Sequence, residues 1–166
     1  MNEGLTKLTA TPKEVMMGDS KEMLYPLRFF EWGKLEQWMR SQIIAAAQAT
    51  IKTLERKEAV IVMKTAHQVA AQVSILKCLR DSTGGTDETH AYLRSFEGML
   101  RTLSLSLRET AARDSGYKYT LLQLDEMISG DVALLTLLFL DIMDISFPTP
   151  KEEDSEKNLP AVEQEK

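Results

Sequence analysis

The residue types that most often run chemistry are scarce in this chain of 166 residues, which holds two histidines, His67 and His90, and one cysteine, Cys78. Neither histidine stands in a ligand pattern such as HExxH, and a single cysteine makes no CxxC pair. His67 and Cys78 fit one helical face, but eleven residues of rise put them roughly 16 Å apart on a straight helix, too far for a base to activate a nucleophile. Glu152-Glu153-Asp154 reads as a solvated acidic run rather than a cation site. Gly84-Gly85 lacks the Lys-Ser/Thr that completes a phosphate loop and reads as a turn. Arg94, Arg101 and Arg108 recur every seven residues and form a basic stripe on one helix face, interrupted by Glu97 and Glu109. That stripe reads as a solvated face, with docking of an acidic partner as the alternative. The expectation is therefore a protein with no catalytic residues, no metal site and no cofactor, which works by binding other macromolecules.

The elements that would position any binding surface are helices. Apolar residues make up 43% of the chain, enough for one domain with a real core. Aromatics are only 7% and glycines only 8, while Ala, Leu, Met and Gln are plentiful, a mix that loses little rotamer freedom in helices. A net charge of −5 argues against nucleic acid, whose binding rests on neutralising phosphates. The N-terminal residues MNEGLTKLTATPKEV lack the apolar stretch of a secretory signal. The longest apolar run, Val132 to Ile145, is interrupted by Thr136, Asp141 and Asp144 and is shorter than the ~20 residues of a membrane span. With one cysteine and no such segment, the expectation is a soluble, cytoplasmic protein that does not bind membranes.

Along the chain, Val15-Met16-Met17 and Met23-Leu24-Tyr25 flank the turn residues Gly18-Asp19-Ser20-Lys21, which predicts a short hairpin within about 13–28. A hairpin alone is marginal and must lean on helices. Trp32, Leu35, Met39, Ile43 and Ala46 give one apolar face from Phe30 to about Lys57. Val62, Ala66, Val69, Val73 and Leu76 repeat the pattern from Glu58 to Arg80. No glycine or proline separates these stretches, so two helices, or one long helix kinked near Arg56 to Glu58, both fit. Asp81 to Thr86 is the clearest break. A third helix is expected from Glu88 to Arg113, stopped by Asp114-Ser115-Gly116. Thr120 is placed to cap a short helix from Leu121 to Ile128, and Ser129-Gly130-Asp131 separates it from a last helix, Val132 to Ile145. That helix is apolar nearly all round, which predicts burial on several sides in the middle of the core. Lys151 to Lys166 holds six acids against three bases and almost no apolar residue, so it is expected to stay disordered. The expected fold is mainly α: a single helical-bundle domain over 1–150 with a short N-terminal β-hairpin, followed by a disordered acidic C-terminal tail over 151–166.

The densest aromatic cluster is Tyr25-Pro26-Leu27-Arg28-Phe29-Phe30 with Trp32, and Trp38 follows. Its first role is to pack the hairpin onto the helix. Aromatics are also enriched at binding hot spots, so Tyr25, Leu27, Phe29, Phe30, Trp32 and Trp38 are candidate partner-binding residues. A face of the last helix, with Leu135, Leu138 and Phe139, is the other candidate surface, for a partner or for self-association into a homo-oligomer.

The run from Lys21 to Trp38, KEMLYPLRFFEWGKLEQW, resembles the opening of the phage tail assembly chaperones of siphophage type. Their pattern is a hairpin ending in a Tyr-x-Leu-x-Pro-Leu-like stretch, then an aromatic or Asp, then Leu-Glu and an aromatic. Here the proline follows Tyr25 directly, and Leu35-Glu36-Gln37-Trp38 fits the close of the pattern. Met99 to Arg108, MLRTLSLSLR, is similar to the family's Leu-rich helix ending in Ser-Leu-Arg. A loop, a Thr-started helix from Thr120 to Met127 and an apolar last helix follow in the family's order. The resemblance covers about two-thirds of the chain and departs from the family in the long middle helices and the acidic tail. It implies a non-enzymatic role in the host cytoplasm, binding the tape measure protein and keeping its apolar helices soluble during tail assembly. The 9 methionines offer adaptable contacts for such a client. A minor structural virion protein, such as a head–tail connector or neck component, is the alternative. A DNA-associated helical protein has only the Gly84-Gly85 turn in its favour and lacks a basic recognition helix.

Overall fold

A computed structural model describes residues 11–75, 88–110 and 116–147. Among them are two strands, β1 (Lys13–Met17) and β2 (Ser20–Leu24), and six α-helices. The helices are α1 (Phe29–Thr50), α2 (Arg56–Gln72), α3 (Glu88–Leu93), α4 (Phe96–Ser106), α5 (Leu121–Ile128) and α6 (Val132–Ser146). The expected mainly helical fold with an N-terminal hairpin is what forms.

The hairpin pairs Lys13 with Leu24 through to Met17 with Ser20, leaving Gly18 and Asp19 as a two-residue turn. Gly18 has φ of 60°, the positive value that tight hairpin turns require at their first central position. Alternation turns Val15, Met17, Glu22 and Leu24 inward. Lys13 Nζ meets Asp141 Oδ1 of α6 at 2.6 Å and ties the sheet to the last helix.

The two middle helices are separate and form a helical hairpin. After Thr50 the chain makes a 3₁₀ turn, Ile51–Thr53, and Leu54 and Glu55 are extended. No glycine or proline is needed. Thr50, Ile51 and Thr53 are β-branched, and the Thr50 and Thr53 hydroxyls donate to the carbonyls of Ala46 and Thr50, competing with the helical ladder. The returning α2 lays buried Ala66 and Ala70 against α1. It stops at Gln72, earlier than the periodicity predicts. Arg40 donates to the Val73 carbonyl (3.1 Å) and Glu36 accepts from the Ile75 amide (2.9 Å), so α1 side chains take up the freed backbone groups.

The predicted helix from Glu88 to Arg113 is also divided. Arg94 and Ser95 separate α3 from α4, and the Ser95 hydroxyl caps α4 by accepting from the Gly98 amide at 3.1 Å. Helix α4 ends at Ser106 because Leu107 is captured by the hairpin, bridging Leu24, while Arg108 bridges Tyr117. The open edge of β2 supplies unpaired backbone groups, and these compete with the next helical turn. The break at Asp81–Thr86, the stop at Asp114–Ser115, Cys78, Pro148, Pro150 and the tail from Lys151 lie outside the described residues.

Gly98 lets α3 and α4 meet. A Cβ there would fall on the Tyr92 carbonyl oxygen and 2.6 Å from that of Leu93, both rigid backbone. In an ordinary helix Gly→Ala is stabilising by roughly 0.5–1 kcal/mol. Here the clash outweighs that gain, and Gly98→Ala is expected to destabilise by about 1–3 kcal/mol. Urea unfolding measures it, and a raised midpoint would show that α3 shifts freely.

All six helices and the hairpin contribute to the core, with Ala66 and Ala70 from α2, Ile75 just past it and Leu93 from α3. Leu24, Leu35, Met39, Leu103, Leu107, Leu124, Leu135 and Ile142 are among its most buried side chains. Helix α5 is capped reciprocally: the Thr120 hydroxyl accepts from the Gln123 amide, and the Gln123 side chain accepts from the Thr120 amide. Asp131 caps α6 by accepting from the Leu134 amide at 2.9 Å.

Candidate partner-binding surface

The segment between hairpin and α1 is irregular, yet its backbone is held by α4, by Arg108 just past it and by α6. The Tyr25 amide donates to the Ser106 carbonyl (3.1 Å), and the Ser106 hydroxyl donates to the Tyr25 carbonyl (2.7 Å). The Arg108 guanidinium donates to the Pro26 carbonyl (2.9 Å), and the Leu27 amide donates to the Ser146 hydroxyl at the end of α6 (2.9 Å). Such pairing is what lets an irregular segment sit in a packed interior.

Beneath the segment lies a buried ionic cluster. Glu31, 1% exposed, accepts from the Arg28 amide at 2.8 Å and from Arg28 Nη2 at 2.7 Å, and pairs with Arg108 Nη1 at 3.3 Å. Burial pushes the Glu31 carboxyl up, but the Arg28 hydrogen bonds and the charges of Arg28 and Arg108 outweigh it and hold it below its usual range. Burial, and then the charge of Arg28, push the Arg108 guanidinium down, against the pull of Glu31. The basic stripe therefore does not form one solvated face. Arg94 lies between helices, Arg101 pairs with Glu97 at 2.8 Å, and Arg108 is buried because α4 ends before it and the extended chain turns it inward.

A second buried carboxylate, Glu22, accepts from Lys118 Nζ at 2.7 Å and from the Tyr119 hydroxyl at 2.6 Å. These bonds raise both partners above their ordinary values near 10, the Glu22 contact being the first cause in each. Groups raised on folding contribute below their unfolded pKa, and the contribution is lost as pH rises through the folded value. Glu22→Gln is thus expected to move the ionisation of Tyr119 to lower pH in an absorbance titration and to flatten the alkaline loss of stability. An unaltered titration curve would mean that Tyr119 does not depend on Glu22.

The nine candidate residues divide by exposure. Phe29 (81%) and Phe30 (68%) stand in solvent at the start of α1. Tyr25 and Trp38 are half-buried, while Leu27, Trp32, Leu135, Leu138 and Phe139 are core side chains. Leu27, Phe29 and Trp32 come together with Arg28, Ser146 and Phe147 around an open groove of about 310 Å³. Trp32 and Phe147 rings sit 5.1 Å apart across its floor. Lys34 lies 4.5 Å from the Phe30 ring and 4.6 Å from that of Tyr117, fixing Phe30 from one side. Trp38 lies away from that groove, in a smaller one of about 160 Å³ with Lys34, Leu35, Arg101, Ser104, Leu105 and Leu121. Its indole N–H is buried with no acceptor among the described residues.

Helix α6 differs from its expected central position. Leu135, Leu138, Phe139 and Ile142 face inward, mostly onto α4, but Val132 (53%), Leu137 (62%) and Leu140 (51%) are exposed. Its apolar residues are divided between the core and an outward face, so composition alone overstates its burial. Apolar periodicity holds no signal for Glu22, Glu31 or Arg108: Glu22 and Arg108 find their partners far along the chain, and Glu31 joins a local one, Arg28, to a remote one, Arg108.

Among the described residues no group of three His, Cys, Asp or Glu is arranged to hold a metal ion, and no helix is long and apolar enough to cross a membrane. A scan against protein-family models matches none, and searches of curated proteins and of solved structures find no similar chain.

Proposed function

We propose that this chain is a non-enzymatic tail assembly chaperone of a phage, binding the tape measure protein in the host cytoplasm while the tail is built. The observation that carries the reading is the hairpin–α1 junction. The residues that resemble the chaperone family form one stitched unit there, presenting Phe29 and Phe30 beside an apolar groove. Two exposed phenylalanines on a rigid support are unusual for a surface with no partner, and aromatic anchors next to a pocket are what apolar helices dock onto.

Co-expression with the tape measure protein tests it. A soluble complex is expected, weakened at least about tenfold by Phe29→Ser/Phe30→Ser, a loss of roughly 1.4 kcal/mol or more. Neither complex nor improved client solubility would sink the reading. Stoichiometric presence in purified particles would instead make the chain a minor structural virion protein, such as a head–tail connector or neck component.

A further inference from the structure

The outward face of α6 has a geometry and a charge that define a partner. Ala133, Leu137, Leu140 and Asp144 are all exposed, and their spacing of four, three and four is that of a coiled-coil seam. Val132 widens its first turn. The inward set Leu135, Leu138, Phe139 and Ile142 anchors the same helix in the core, so the seam sits on a rigid support. From Ala133 to Asp144 it runs about 16 Å, three turns of helix.

The charged side chains of α5 and α6 themselves are all of one sign. Residues 121–147 include Asp125, Glu126, Asp131, Asp141 and Asp144 and no Lys, Arg or His. Asp141 is met by Lys13 from the hairpin. Among the described residues the other four make no ion pair, and Asp131 accepts from the Leu134 amide as the cap of α6. Asp144 also lies in the last turn of α6, where the helix end itself favours a cation.

We propose that this seam docks one helix that is apolar along one face and basic along its flanks. The inference deepens the reading of the chain as a protein-binding chaperone, and rests on it, by naming the chemistry of the client helix. A second copy of this chain fits poorly. Pairing α6 with itself in parallel sets Asp144 against Asp144, and antiparallel pairing about Leu137 and Leu140 brings Asp144 toward Asp131. A basic helix meets the same acids favourably in either direction.

The test uses the full chain and two synthetic amphipathic helices with the same leucine seam, one flanked by Lys and one by Glu, followed by fluorescence anisotropy. The Lys-flanked helix is expected to bind about tenfold or more tighter than the Glu-flanked one, and to weaken with added salt. Leu137→Glu/Leu140→Glu, both exposed positions, is expected to abolish binding with an unchanged circular dichroism spectrum. Asp144→Lys is expected to narrow the preference between the two helices without touching the leucines. Equal binding of both helices, or binding of the Lys-flanked helix that ignores the leucine changes, overturns the proposal. So does a dimer of the chain alone, seen by sedimentation, that Leu137→Glu/Leu140→Glu dissolves. The same double variant in the co-expression assay separates the two readings. A client complex that survives it, with no peptide bound, removes the seam and leaves the chaperone. Peptide binding at the seam with no client complex from the unaltered chain does the reverse.

Discussion

Glu31→Ala is expected to lower the unfolding free energy by about 3–5 kcal/mol, the usual cost of removing one partner from a buried ion pair. The magnitude follows from what stays behind. Arg108 is 5% exposed, and its Nε already lacks a hydrogen-bond partner among the described residues. Without Glu31 its charge would face the Pro26 carbonyl, the Tyr25 ring at 5.3 Å, Tyr117 and the like charge of Arg28, with no carboxylate among them. The Arg28 amide at the start of α1 would lose its acceptor as well. Glu31→Ala/Arg108→Met is expected to recover most of the loss, because replacing both charges by apolar groups removes the desolvation cost together with the attraction. Urea unfolding of the two single variants and the double gives the coupling between them. Additive losses would show that the pair does not act as a unit.

The same carboxylate sets an acid limit. Its folded pKa is depressed, so its contribution is complete above the unfolded value near 4.3 and is lost as pH falls through the lower folded value. Stability is therefore expected to drop on the acid side of about pH 4, and the drop should be shallower in Glu31→Gln.

What the amino-acid order revealed was local. The turn residues Gly18-Asp19-Ser20-Lys21 between two apolar stretches and Thr120 before an apolar run each signal a local feature, and each forms, the turn tightening to Gly18-Asp19 as Ser20 and Lys21 join β2. The misplaced boundaries arose where distant groups competed with the helix. Apolar periodicity continues through Leu107, but the edge of β2, over eighty residues earlier, takes that residue into a bridge. Thr50 and Thr53 turn the chain without either residue that usually marks a break. The buried charges were hidden for the same reason. An acid is rarely buried unless paired, and Glu31 finds Arg108 across 77 positions. Of the candidate surface, the aromatic cluster was visible as a cluster. Which of its members face solvent depended on the α1 register, which turns Trp32 inward and leaves Phe29 and Phe30 outside.

Helix α6 shows the limit of composition most directly, and two substitutions two positions apart measure it. Leu135 is fully buried where α6 packs on α4. Leu135→Ala is expected to cost about 2–5 kcal/mol, the loss of transfer energy plus the cavity that a close-packed neighbourhood cannot collapse. Leu137, 62% exposed, contributes little to burial, and alanine is at least as good a helix former. Leu137→Ala is therefore expected to stay within about 0.5 kcal/mol of the parent. Urea midpoints at unchanged slope measure both. Equal losses would mean that the outer face of α6 is packed against something in solution, and a sedimentation measurement would then identify a second copy of the chain. Unequal losses would mean that eight of the first nine residues of this helix are apolar without sharing one role, one set holding the core and the other lying outside it.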